Sequence, residues 1–306
     1  LSKQTSFKTM QENGKTKFTY KWSDHKQRQQ KISFALDSQQ LNNAFSRFRD
    51  YNPDVALRHV EVGILRGLPA LQDKNAQAKL IKRPNEIVLN FTGNDQAAIN
   101  KLRRATMLLK RQSEQAYYNK AFYHEYKDSF GKQGIKADHV RFTTESMSML
   151  TPIAQHIFEN YKNLPTREIV NYLLSFVQTI PYQDLEDRHT THGAGFSPPN
   201  RLLLENRGDC DSKSVLMLGI LRNLFPNLGL IMVYLPNHAL IGIQIPYQKG
   251  DEKIEVEGTQ YVLAEPTGPA LLPVANIAEQ SQIYIGAKSY SIESIPTKNS
   301  LMRRKG

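Results

Sequence analysis

The chain holds a single cysteine, Cys210, within Arg207-Gly208-Asp209-Cys210-Asp211-Ser212-Lys213, directly ahead of an apolar stretch. Gly208 permits a tight turn, and Asp209 and Ser212 are helix-start residues, so Cys210 is expected on the first turn of a helix. Unpaired backbone N–H groups and the positive end of the helix dipole favour a thiolate there. A thiolate is the reactive form of cysteine, which makes Cys210 a candidate nucleophile. Asp209 and Asp211 would oppose ionisation if they faced the sulfur; they are expected to cap the helix or to bind elsewhere. One cysteine also excludes an intramolecular disulfide and any cysteine-rich zinc site.

A cysteine nucleophile needs a base within hydrogen-bond reach and a group that orients the base. His238 follows Pro236-Asn237 and opens the alternating run ALIGIQI, while Glu265 closes YVLA and precedes Pro266-Thr267-Gly268. If these two runs are antiparallel neighbours, the start of one lies beside the end of the other. His238 and Glu265 then meet at one rim of a sheet, near the start of the Cys210 helix.

This order, with cysteine at a helix start, histidine at a strand start and an acid at the next strand's end, resembles the transglutaminase-like superfamily, in particular its bacterial cysteine protease and hydrolase members. The segments that carry the resemblance are YLLSFVQTIPY, PPNRLLLENRGDCDSKSVLMLGILR, LPNHALIGI and YVLAEPTG, within residues 140–290. The resemblance implies a papain-like domain with Cys210 as nucleophile, His238 as base and Glu265 as the acidic third member. Glutamate stands where the family usually has aspartate, which adds one methylene and leaves the pairing chemistry intact. The family also uses an oxyanion donor upstream of the cysteine, and the side-chain amide of Gln178 is the candidate, beside the backbone N–H of Cys210.

The implied activity is that of a cysteine-dependent hydrolase or transferase acting on amide or peptide bonds of a protein substrate through an acyl-thioester, with no cofactor and no metal. Hydrolysis and transamidation both remain open. The rival reading is an inactive binding or scaffolding module that works through the basic N-terminal region; an acyltransferase using a thioester cofactor is a third. His189 and His192, with Asp184, Glu186 and Asp187, carry metal-competent ligands but match no metal-binding spacing. Residues 183–199 are read instead as a polar loop over the cleft, a candidate lid. Asp209 and Asp211 fall short of the oxygen count that calcium takes. Lys213 either assists thiolate formation or faces solvent.

The elements that must position these residues suggest an α+β fold. Residues 1–14 are polar and expected to fray. Lys15–Lys21 and Gln30–Leu36 alternate as a hairpin, and Asp37 or Ser38 caps a helix to about Phe48. Residues 54–80 are ambiguous between helix and strand. Glu86–Phe91 reads as a strand, and a long helix runs from Gln96 to about Phe130, ended by Gly131–Gly134. Residues 143–179 give two helices split at Asn163-Leu164-Pro165-Thr166. Beyond the Cys210 helix come four strands, at 228–235, 239–246, 254–256 and 260–264. Helices first and strands later indicate helices packed on a mainly antiparallel sheet. The domain division expected is a basic α+β region over 1–135 and a transglutaminase-like domain over 136–306.

Charge follows the same division. Residues 1–140 carry 25 Lys and Arg against 13 Asp and Glu, and residues 141–306 carry 15 against 16. An acidic partner or an anionic surface is therefore expected to meet the N-terminal region if anything does. No zinc-finger or RNA-binding sheet signature accompanies the charge. No apolar run reaches the roughly 18 residues of a membrane span. A chain that begins at Leu1 and resembles a family often exported in bacteria is expected in the periplasm or outside the cell, released by processing or anchored before residue 1.

Overall fold

A computed structural model describes residues 4–83, 86–185 and 195–303. Three N-terminal strands, β1 (Gln4–Glu12), β2 (Lys15–Ser23) and β3 (Gln29–Asp37), form an antiparallel meander, and Asp37 caps the short helix α1 (Ser38–Asn43). The alternation in β2 and β3 sends Phe18, Tyr20, Trp22, Ile32, Phe34 and Leu36 inward. The residues expected to fray instead make β1, an edge strand paired with β2 from Gln4↔Trp22 to Glu12↔Lys15. Its polar side chains carry no strand signature, because backbone bonding holds it.

Next come α2 (Pro53–Gly67), a 3-10 turn at Leu68–Ala70, the hairpin β4 (Ala76–Arg83) and β5 (Glu86–Gly93), and the long helix α3 (Gln96–Ala121). Val60, Ile64 and Leu68 are the core here, packed on Ala78, Leu80, Ile87 and Leu89 of the hairpin. The ambiguous stretch 54–80 is thus a helix followed by a strand. Helix α3 stops nine residues before the expected end, where Phe122 adopts a left-handed conformation (φ 63°), and Tyr123 opens β6 (Tyr123–Lys127), which pairs with β7 (Gln133–Ala137).

The rest builds the layer that concerns function. Helices α4 (His139–Tyr161), α5 (Thr166–Thr179) and α6 (Pro199–Glu205) surround α7 (Cys210–Leu224), which is buried from Ser212 to Arg222. Gly219 allows α4 to come close, since a Cβ there would lie 2.8 Å from Leu150 Cδ1. At the far end of α7 the Arg222 guanidinium donates to the carbonyls of Phe225, Pro226, Leu228 and Ile295. Strands β8 (Leu230–Leu235), β9 (His238–Ile243), β10 (Lys253–Val256) and β11 (Thr259–Ala264) follow. Helix α8 (Glu279–Gly286), strand β12 (Ser291–Ser294) and helix α9 (Lys298–Arg303) complete the chain. The sheet order is β10-β11-β9-β8-β12, antiparallel throughout. The α+β class and the antiparallel sheet expected from the sequence are both present.

The chain divides into two compact units, one of residues 1–46, 126–134 and 138–306, the other of 47–125 and 135–137. The border drawn at residue 135 therefore differs from the observed division, because the meander belongs with the C-terminal half. Trp22 Nε1 donates to Ser175 Oγ at 3.0 Å, Tyr172 Oη donates to the Lys31 carbonyl, and the Tyr20 ring meets Phe176 edge-on at 4.9 Å. Among the described residues no helix is long and apolar enough to cross a membrane.

Candidate functional site

The site is assembled from the segments either side of Gly208. The strand-like stretch at Tyr182 bridges to Gly208, with Gly208 N–H donating to the Pro181 carbonyl and Gln183 N–H to the Gly208 carbonyl. A Cβ at Gly208 would meet Leu202 Cδ1 at 2.8 Å, so glycine lets the chain pass close beneath α6 before α7 begins. Asp209 is the N-cap, accepting from Ser212 N–H at 2.9 Å, and Cys210 opens the helix as the sequence predicts. The thiol is half-buried.

His238 opens β9 and Glu265 follows β11 directly. These strands are neighbours, paired from Val262↔Ile243 to Ala264↔Ile241. Glu265 therefore continues along β9 towards its start, and His238 Nε2 lies 2.8 Å from Glu265 Oε1. The other carboxylate oxygen accepts from Ala278 N–H at 2.9 Å and from Ser281 Oγ at 3.4 Å. Burial pushes the Glu265 carboxyl up, but the hydrogen bonds from His238, Ala278 and Ser281 and the His238 charge outweigh it and hold it below its ordinary value. The backbone N–H of Ala239, the residue after His238, donates to the Cys210 sulfur. Cys210, His238 and Glu265 thus share one rim.

Several expectations need correction. Gln178 is buried, and its amide nitrogen donates to the carbonyls of Glu265 and Leu272, each at 2.9 Å. With both amide hydrogens committed, Gln178 anchors the Glu265 strand end and is no oxyanion donor. Asp211 does not point away from the sulfur: Cys210 Sγ donates to its Oδ1 at 3.7 Å. Burial pushes the Cys210 thiol well up, Asp211 and Asp209 add to the rise, and the N–H groups of Ala239 and Asp211 offset only part of it. The resting sulfur is consequently a thiol at neutral pH, against the helix-start expectation. The dipole favours ionisation there, but desolvation and two carboxylates win.

Lys213 neither faces solvent nor reaches the sulfur as a donor. It is fully buried and donates to the carbonyls of Ile180 and, at 3.5 Å, Gln178. Burial lowers its pKa to about 8, partly opposed by Asp209 and Cys210. Asp209, buried and facing Asp211, is raised.

Residues not foreseen lie on the Asp211 side. His139 Nε2 stands 3.7 Å from Asp211 Oδ2, His139 Nδ1 is 3.0 Å from Tyr234 Oη, and that hydroxyl donates to Glu293 Oε2 at 2.7 Å. Phe196 covers the His139 ring, with centroids 4.7 Å apart. Nothing local marks these four as a group, since they come from α4, α7, β8 and β12. Tyr182 also borders the site, and its hydroxyl is raised by burial and by Cys210, Asp209, Asp184 and Asp211.

A cavity of about 290 Å³ lined by Gln4, Gln178, Ile180, Tyr182, Gly268 and Pro269 opens next to this rim. Neither the sulfur nor the imidazole lines it. Among the described residues no cluster of three or more His, Cys, Asp and Glu could hold a metal ion. The candidate ligands Glu186, Asp187, His189 and His192, and most of the proposed lid at 183–199, lie outside the described residues. Comparison with protein-family models, with curated protein sequences and with solved structures returned no match.

Proposed function

We propose that the chain is a transglutaminase-like cysteine enzyme that forms an acyl-thioester on Cys210 from an amide or peptide bond of a protein substrate. The observation that carries this reading is the His238–Glu265 hydrogen bond at a strand start whose next residue, Ala239, donates its N–H to the sulfur. Glu265 is ionised, so His238 Nε2 carries the proton it donates and the lone pair belongs to Nδ1. That nitrogen takes the thiol proton as sulfur attacks the carbonyl carbon. The new S–C bond forms, the C–N bond breaks, and His238 returns the proton to the departing amine. Water then attacks the thioester, losing a proton to His238, to release an acid; an amine attacking instead gives the transamidated product. Because the resting sulfur is protonated, base assistance during attack does the work that a preformed ion pair would do elsewhere. The oxyanion falls to backbone donors at the start of α7, the N–H of Cys210 first.

The test uses p-nitrophenyl acetate, which needs no knowledge of the natural substrate. The expected result is a mass increase of one acetyl group on Cys210, lost in His238→Ala. Glu265→Gln should slow acylation about 10²- to 10⁴-fold by leaving the imidazole without its anionic partner. No adduct on Cys210, or an adduct formed equally fast without His238, would overturn the reading in favour of a binding module.

A further inference from the structure

The carboxylate that accepts the Cys210 thiol hydrogen is not free to act alone, because its second oxygen faces a buried imidazole. The proton count along that line is constrained. Tyr234 Oη has one hydrogen, and its donation to Glu293 Oε2 leaves only lone pairs for the contact with His139. His139 Nδ1 must therefore be the donor at 3.0 Å. Its other nitrogen, Nε2, then meets Asp211 Oδ2 at 3.7 Å either as a lone pair or, in the doubly protonated ring, as a cation. The first state leaves the Asp211 charge to hold the thiol proton. The second neutralises that charge and releases the hold.

We propose that His139, oriented by Tyr234 and Glu293, is a positioning residue that acts through Asp211 to set the protonation of Cys210. The sulfur thus has two imidazole–carboxylate pairs: His238–Glu265 to remove its proton, and His139–Asp211 to govern how firmly it is kept. The second pair is built as an interior feature. His139 and Tyr234 come from α4 and β8, which flank the start of α7, and Phe196 packs against the imidazole ring with Phe142 packed on Phe196 in turn. Such placement makes the charge on Asp211 act over a short, poorly screened path. The inference deepens the enzymatic reading above, yet its geometry concerns only the thiol and its neighbours.

Other titratable groups stand around this line: Asp209 and Lys213 on α7 and Tyr182 after α5 interact with the sulfur, Asp184 with Tyr182, Asp138 with Tyr234, and His238 on β9 with Glu265. The test must separate His139 from the second imidazole, His238, and from Asp209, whose carboxyl burial raises to about 7. Iodoacetamide alkylation of the single cysteine, followed by mass between pH 5 and 9 in the whole chain carrying His238→Ala and Asp209→Asn, does so. A plain thiol gives a log rate rising with slope one. The coupled pair should flatten that slope through the imidazole range, because each unit of rising pH also restores the Asp211 charge.

Adding His139→Gln should return the slope to one throughout. Adding Asp211→Asn should do the same, and should raise the rate at pH 7 about tenfold, the equivalent of one pKa unit. Tyr234→Phe removes only a hydroxyl and keeps the ring, so it tests the idea should the His139 change disturb folding; it should move the flattened region to lower pH. A slope of one in the starting background, or a flattened region that survives both His139→Gln and Tyr234→Phe unchanged, overturns the proposal. The acetylation result stands apart: loss of acylation with the flattened profile intact would refute the enzyme and keep the dyad.

Discussion

Helices α3 and α7 begin on the same residue type and end in opposite situations. At α3, Asp95 accepts from Ala97 and Ala98 N–H and stands in solvent; at α7, Asp209 accepts from Ser212 N–H and is buried. Four residues into α7 lies Lys213, without solvent contact. The cap is local chemistry in both cases. What differs is the surroundings, and they turn one cap into an ordinary helix start and the other into a site where a carboxyl and a thiol are raised and an ammonium is lowered. A buried first turn stores unfavourable charge that an exposed one gives to water.

Three measurements sharpen that contrast or break it. The largest effect is expected at Lys213. Its folded pKa of about 8 lies below the unfolded value of 10.5. Between the two, the unfolded chain binds more protons, so stability rises with pH across that window. Denaturant unfolding of Lys213→Met should lack this rise, so that its stability relative to the native chain falls by about 3 kcal/mol from pH 7.5 to 10.5. A parallel pH dependence in the two chains would show that the ammonium is not desolvated. Next comes Asp209→Ala, expected to cost about 2 kcal/mol at pH 7, the upper end for a lost cap, since no water can take over from the carboxylate. Asp95→Ala should cost about 0.5–1 kcal/mol in the same assay, because solvent replaces the cap. Equal losses at the two positions would mean that burial adds nothing to the cap's worth, and the contrast between the helices would fail.

The legible part of the fold is the part with strong local periodicity. Phe18, Tyr20 and Trp22 alternate as a half-buried strand must, and the apolar run after Asp211 is a buried helix. His238 and Glu265 can be brought together from sequence because strand position alone decides which side chains share a rim. Strand β1 is not legible in this way, because an edge strand is held by backbone bonds and asks little of its side chains, although Phe7 does pack against Tyr20. The end of α3 is hidden because Phe122 enters a left-handed conformation that glycine or asparagine usually marks. Gln178 does lie beside the expected residues, but its role differs from the expected one. A buried amide is claimed by the nearest open carbonyls, and those belong to Glu265 and Leu272.

Composition and spacing alone determined an α+β chain with one cysteine at a helix start, followed by a histidine and an acid at strand ends. Those features depend on neighbours a few residues apart, through caps, turns and alternation. Only the tertiary structure decided that the N-terminal meander packs on α5, that Asp211 turns towards the sulfur, and that His139, Tyr234 and Glu293 stand behind it. Each of those depends on which surfaces lose their water together, and desolvation is a property of the packed molecule that no short stretch of sequence carries.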